Sequence, residues 1–299
     1  MKRVGEFAAI ALMLFAFVAF FANNAQPISN NANAPYQQDI TFPNLLTNGG
    51  FEAGYDGSSH LALVIPVDDG GTPDPSGAYY REAPEIVAPR GWTAWYLHGG
   101  PVQHDPGNPV GWSAPEVRPV WVGVDPIRVH SGDWGAVAFT FYRIHDAGLF
   151  QQVQVEPGTR LRLSAYAHAW SNHDGGPHPD DPRWSEGAHV GYAHACLSEG
   201  TAGLDSGDRN FTFRIGIDPT GGVNPYAETV VWGPVMHAYN AYCRIPAIEV
   251  AAEAETATVF IRSRTLWPFK HNDAYWDDIS LIAVRGRVYL PLVMSNAGR

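Results

Sequence analysis

The stretch LRLSAYAHAW, Leu161–Trp170, decides the fold class. Leu161, Leu163, Ala165, Ala167 and Ala169 share one parity, and Arg162, Ser164, Tyr166, His168 and Trp170 share the other. Successive side chains of an extended chain point to opposite faces, so this is a strand with one apolar face for a core and one polar, aromatic face turned away from it. The same period recurs in FTFRIGID, where Phe213, Ile215 and Ile217 oppose Arg214, Gly216 and Asp218. In TVFIRSR, Val259 and Ile261 oppose Phe260, Arg262 and Arg264.

Working outward, strands are predicted over Gly135–Tyr142, Leu149–Val155, Thr229–Trp232 and Tyr275–Val284. The segment IEVAAEAETATV (Ile248–Val259) holds the helix-favouring residues Ala and Glu. It runs directly into β-branched TVFI, and most of it is read as strand. The short apolar runs are punctuated by many of the 31 Gly and 24 Pro, which excludes a helical bundle and gives an all-β protein. Two stretches, Tyr55–Val129 and Ser171–Asn210, read as long elaborated loops, and such loops in a compact domain usually carry function or are disordered. No repeat of fixed period is present.

At the N-terminus Lys2 and Arg3 precede an apolar run from Phe7 to Phe21 that breaks at Asn23-Asn24. That is the layout of a secretory signal peptide, assigned to residues 1–25, and the run is short for a membrane span. Residues 26–41 are rich in Asn, Gln, Pro and Ala and read as a disordered linker. A single domain is expected over 42–284, followed by a short apolar tail, 285–299. The expected location is therefore secreted or cell-surface, with no membrane contact apart from the signal segment.

The chain has 19 Lys and Arg against 30 Asp and Glu, a formal net charge of −11. Such a balance argues against nucleic acid and anionic membranes as partners and leaves neutral polymers such as polysaccharides open. Cys196 and Cys243 are the only cysteines, so an export route allows one disulfide and excludes zinc sites built on several thiolates. Oligomeric state is not legible.

Five pieces in order carry a family resemblance: NLLTNGGFE (Asn44–Glu52), GWTAWYL (Gly91–Leu97), HSGDWGAVAF (His130–Phe139), GLFQQVQVEPGTRLRLSAYAHAW (Gly148–Trp170) and AYWDDISLIAV (Ala274–Val284). Together they resemble the family 4/9/22 group of carbohydrate-binding modules. The resemblance implies a galactose-binding-domain-like β-sandwich jelly roll, here with long loop insertions. It also implies that NLLTNGGFE and AYWDDISLIAV are the first and last strands. A structural calcium is implied between them, near the loop His130–Asp133, held by Glu52 and Asp277, with Asp278 as the alternate because alternation turns only one of the pair inward. Their carboxylates are hard oxygen ligands of the kind calcium prefers, and the bland reading is two solvated acids.

Sugar recognition combines an aromatic ring against the apolar face of a pyranose with planar polar groups on its hydroxyls. Tyr166, His168 and Trp170 beside Arg214, Asp218, Arg262 and Arg264 offer both and are expected to form one glycan-binding face. Trp267 would close one end, next to Lys270 and His271. The competing reading packs these rings beneath the loops and pairs the arginines with carboxylates. Trp92, Trp121 and Trp134 are read as core, and the face of Trp276 is left open.

A set of imidazoles and carboxylates, His168, His173, Asp174, His178, Asp180, Asp181, His189 and His194, fits no established metal spacing and reads as a polar loop. DPTGG (Asp218–Gly222) reads as a turn. The one acid pair to nominate for hydrolysis is Asp218 with Glu228, and no nucleophile elbow, phosphate loop or dinucleotide fingerprint occurs. The first expectation is therefore non-catalytic polysaccharide binding. The alternatives are a calcium-stabilised structural or adhesion domain and a glycan-active hydrolase using the long loops.

Overall fold

A computed structural model describes residues 42–284 apart from 56–59, 69–70, 103–109, 124–127, 173–194, 199–209 and 240. The signal, linker and tail segments lie outside the described residues. So do His173, Asp174, His178, Asp180, Asp181, His189 and His194 of the imidazole and carboxylate set.

The described residues form fifteen strands and one turn of 3-10 helix, Pro75–Gly77. In chain order the strands are β1 (Leu61–Pro66), β2 (Tyr79–Glu82), β3 (Thr93–Val102), β4 (Val110–Trp112) and β5 (Glu116–Trp121). There follow β6 (Trp134–Thr140), β7 (Asp146–Gln154), β8 (Arg160–Asn172), β9 (Ala195–Ser198) and β10 (Phe211–Asp218). The last are β11 (Val231–Trp232), β12 (Met236–Tyr239), β13 (Cys243–Ala251), β14 (Thr256–Thr265) and β15 (His271–Ala283). They make a two-sheet jelly-roll sandwich. The larger sheet runs β2-β1-β3-β7-β14-β10-β12-β9, with β4 on β3 and β11 on β10, and the smaller runs β13-β8-β15-β6-β5.

Alternation decides the core. Leu161, Leu163, Ala165, Ala167 and Ala169 of β8 pack in one cluster with Phe213, Ile215 and Ile217 of β10 and Val259 and Ile261 of β14. Trp276 faces this core and meets Phe213 edge-on at 5.2 Å, which settles its open parity. Trp92 is core as expected, at 2 % exposure.

Two expectations are corrected, and that of strand over most of Ile248–Val259 holds. Tyr55–Val129 is not loop but supplies β1 to β5; β2 and β4 are too short to show a period, and the longer β3 is apolar on both faces. NLLTNGGFE is not an opening strand but a series of turns, with Asn48 and Phe51 at positive φ. It docks on β15 through Leu45 N–H to the Leu281 carbonyl and Leu281 N–H to Asn44 Oδ1. Ile248–Val259 is two strands, the end of β13 and the start of β14, and the turn between them is held by Glu253 and Ala254 N–H groups on the Pro219 carbonyl. DPTGG is a turn, closed by Gly221 N–H on the Asp218 carbonyl.

Cys196 on β9 and Cys243 on β13 are disulfide-bonded, with Cα atoms 5.4 Å apart. Each strand is the last of its sheet, so the bridge ties the edges of the two layers together. Closing a loop of 47 residues removes unfolded-state freedom on the order of 4 kcal/mol in the chain-entropy account.

His145 precedes β7, fully buried, with its ring nitrogens 3.3 Å from Thr140 Oγ1 and 3.2 Å from Ser263 Oγ. Burial pushes its pKa down to about 4, and Asp146 opposes the shift only in part. Between pH 6.5 and 4 the unfolded chain then binds the proton that the folded chain excludes, so stability is full above 6.5 and is lost as pH falls. Wild type is expected to lose on the order of 2–3 kcal/mol more than His145→Gln between pH 7.5 and pH 4.5. Urea unfolding of both proteins at the two pH values checks this, and equal losses refute it.

Candidate functional site

Directly opposed residues of antiparallel strands share a face, so the registers show which side chains stand together. Tyr166 is paired with Asp277, His168 with Tyr275 and Trp170 with Asp273. Tyr275 and Asp273 are opposite Val137 and Phe139 of β6, which are opposite Arg118 and Glu116 of β5. All of these lie on the outer face of the five-stranded sheet. Arg214 is paired with Arg262 in the other sheet, whose inner face is the core. The arginines therefore occupy the outer face of the ten-stranded sheet, with the core between them and the aromatic row.

The expected single face of Tyr166, His168, Trp170, Arg214, Asp218, Arg262 and Arg264 is thus two faces. The middle of the arginine side is closed around Arg262, while Arg264 beside it keeps 41 % of its side chain exposed. Arg262 donates to both carboxylate oxygens of Asp146, at 2.7 and 2.6 Å, and Tyr226 OH donates to the same carboxylate at 2.9 Å. Arg264 lies 3.7 Å from Asp146 and 4.9 Å from the Trp112 ring centroid, and Arg214 donates to the Gly233 carbonyl beside Trp232. Trp232 lies against Gly216, where an added Cβ would meet its ring at 2.8 Å. Asp218 is buried and accepts from Thr220 N–H, Thr220 Oγ1 and Thr229 Oγ1, while Glu228 is exposed; Asp218 serves its turn and no acid pair is evident there. Trp267 sits in the turn between β14 and β15 with its N–H on Asn210 Oδ1, outside the cleft described next.

The other outer face is covered at one end and open at the rest. His130 stacks on Tyr166 with centroids 3.8 Å apart. His168, at 2 % exposure, lies beneath Tyr242 and Tyr275 at 5.4 and 5.3 Å. Trp170 lines a cleft of about 410 Å³, together with Val137 and Phe139 of β6, Tyr275, Asp273 and His271 of β15, and Phe141. Arg118, Pro119, Val120 and Trp121 form the β5 side, and Arg128 enters from the preceding loop. Trp121 is 46 % exposed and Phe141 is 43 % exposed, so Trp121 is not core. It lies at the end of an outer strand, which its sequence neighbours do not reveal.

Arg128 anchors the covered end. Its guanidinium donates to Asp273 Oδ2 at 3.2 Å and to the Tyr275 hydroxyl, and stands 4.8 Å from the Trp170 and Tyr275 ring centroids. Its carbonyl accepts from Tyr242 OH at 2.7 Å. Burial lowers the His271 pKa, and Lys270 and Arg128 lower it further.

Glu52, Asp277 and Asp278 converge on the segment 130–134. Glu52 Oε1 accepts from Asp133 and Trp134 N–H at 3.0 and 2.9 Å, and Asp277 Oδ2 accepts from His130 and Ser131 N–H at 2.8 and 3.2 Å. Asp278, at φ +49°, reaches His130 Nδ1 at 2.6 Å and Ser131 Oγ at 2.9 Å. Strict alternation fails here because the ladder to β8 is interrupted between Asp277 and Ser280, so both acids address the same loop. Burial pushes the Asp277 carboxyl up to about 6, against the His130 amide and with the neighbouring Asp278. Among the described residues no three His, Cys, Asp or Glu side chains gather as a metal cage. A calcium ion takes six to eight oxygens, including carbonyl and water oxygens, so these carboxylates suit it only with such ligands added.

No family model and no curated protein matches the chain. Among solved structures it is similar to TmCBM61 in complex with β-1,4-galactotriose, at 11 % identity and TM-score 0.42, over 81 % of this chain and 99 % of that one. It is similar to a family 16 carbohydrate-binding module at 15 % identity and TM-score 0.30, over 57 % and 87 % of the two chains. A Stig cyclase from Fischerella sp. TAU is similar at 14 % identity and TM-score 0.34, over 82 % and 98 %. At these values the likeness carries no argument about ligand or reaction.

The closed arginine layer has a measurable signature. Arg262→Met leaves Asp146 buried without its main partner, at an expected cost of roughly 3–5 kcal/mol. Adding Asp146→Asn should recover part of that loss in chemical denaturation. A stability equal to wild type in Arg262→Met would contradict the assignment of this pair to packing.

Proposed function

We propose that the protein binds a glycan, without transforming it, in the cleft on the outer face of the five-stranded sheet. The observation that carries this reading is the cleft itself. Trp121, Phe139, Phe141, Trp170 and Tyr275 border one concave site with Arg118, Arg128, Asp273 and His271. Contiguous aromatic surface on a solvated sheet face needs a use, and a concave apolar lining with a few placed polar groups is the form of a small-ligand site. Rings offer stacking to a pyranose, and guanidinium and carboxylate groups offer directional bonds to hydroxyls. The solved carbohydrate-binding modules noted above accord with the reading but do not carry it.

Binding is preferred to hydrolysis on the cleft's acids. Glu116 and Asp273 flank Phe139 across two strand spacings, roughly 10 Å, near the span an inverting glycosidase uses. Asp273 is committed to Arg128 and Tyr275, and Glu116 faces Arg118 at 3.8 Å. A glycosidase needs two carboxylates available to its substrate, and Asp273 is already engaged within the cleft wall. Secretion through residues 1–25 and a structural calcium at Glu52 and Asp277 belong to the same proposal. The calcium is supported by the hard oxygen donors gathered on segment 130–134.

Calorimetric titration of an oligosaccharide panel tests the site. Trp170→Ala and Phe141→Ala should each weaken binding by tenfold or more, about 1.4 kcal/mol, while Tyr80→Ala on the opposite sheet leaves it unchanged. Wild-type affinity in both cleft variants would remove the cleft from the argument, and release of reducing ends would make the protein a hydrolase. Excess chelator should lower the melting temperature, because a cation bound only to the folded state stabilises it. An unchanged melt of protein shown to have been metal-loaded would exclude the calcium.

A further inference from the structure

The charge of the cleft runs against that of the chain. The sequence holds 30 acidic and 19 basic side chains, yet the cleft itself is lined by Arg118 and Arg128 against the single carboxylate of Asp273. These cations are not equivalent. Arg128 and Asp273 have side chains only 17 % and 11 % exposed, and pulling such a pair apart would strand a poorly hydrated charge. Arg128 is therefore a fixed part of the cleft wall.

Arg118 is different. Its side chain is 55 % exposed, its guanidinium stands 4.2 Å from the Phe139 ring centroid, and its contact with Glu116 is 3.8 Å long and half-exposed on both sides. An exposed pair of that kind is worth less than about 1 kcal/mol. A carboxylate meeting a guanidinium fork through two parallel N–H bonds is both stronger and more directional. Phe139 is covered by the same guanidinium, at 3 % exposure, and the exposed Phe141 ring 5.3 Å from it would place a sugar ring near the charge. The His271 pKa, lowered first by burial and then by Lys270 and Arg128, reports the same positive field at the other end of the cleft.

Resting on the reading of this cleft as a glycan site, we propose that its ligand is an acidic glycan, with a uronate carboxylate held by Arg118 and the sugar rings against the cleft aromatics. Glu116 is displaced when that carboxylate arrives. A neutral chain offers nothing in exchange, so it binds more weakly.

The test compares polygalacturonate, glucuronoxylan and alginate with the same polymers after carboxyl reduction, by calorimetry on the full mature protein. At least one acidic polymer should bind about tenfold or more tightly than its reduced form, and this preference should shrink as salt rises from about 0.05 to 0.5 M. Arg118→Gln should bring the ratio close to one, and Arg90→Gln, outside the cleft, should preserve it. Reduced polymers that bind as well as the acidic ones, with affinity lost in Trp170→Ala, would overturn the acidic ligand and leave the glycan cleft standing. Binding of no polymer in either form, or binding indifferent to Trp170→Ala, would overturn both.

Discussion

Asp277 and Asp278 stand side by side where β15 loses its register with β8, and the site depends on what this interruption permits. An unbroken strand would send the two carboxylates to opposite faces. Instead Asp277 takes the His130 and Ser131 amides while Asp278 takes the His130 ring and the Ser131 hydroxyl. Glu52, from the turns that precede β1, takes the amides of Asp133 and Trp134, where the same loop enters β6. Three acids from the two ends of the domain thereby hold one loop against the outer face of the smaller sheet. That loop presents His130 to Tyr166 and Arg128 to Asp273, and so fixes how much of the face stays open.

The two outer faces differ in how they treat similar residue types. On the larger sheet, arginines and aromatics are consumed internally: Arg262 by Asp146 and Tyr226, Arg214 by Gly233, and Trp232 by the flat surface that Gly216 provides. A buried guanidinium requires such complete pairing, because an uncompensated charge there would cost several kcal/mol. On the smaller sheet only Arg128 is so consumed. Arg118, Trp121 and Phe141 keep substantial contact with solvent around a concave surface, which is the ground on which binding is proposed for this face.

The sequence by itself determined the parity of β8, β10 and β14. The Leu and Ala row of β8, Phe213 to Ile217 of β10 and Val259 with Ile261 of β14 all face the core as their alternation requires, because an apolar row repeated every second residue can be buried on one side only. The strands within Tyr55–Val129 were not legible, since β2 and β4 have four and three residues and β3 buries apolar side chains on both faces, Ala94 and Tyr96 on one and Trp95 and Leu97 on the other, so no alternation shows. Tertiary structure alone decided which sheet each strand joins. Parity says that Arg262 and Trp170 both point away from a core, but a sandwich has two outward sides, and the partner registers, formed between residues more than a hundred positions apart, set the one apart from the other. Likewise Phe139, Tyr275 and Asp273 gain their place in the cleft from cross-strand neighbours. The physical reason is that alternation is a property of one strand, whereas a binding surface is a property of several strands brought side by side.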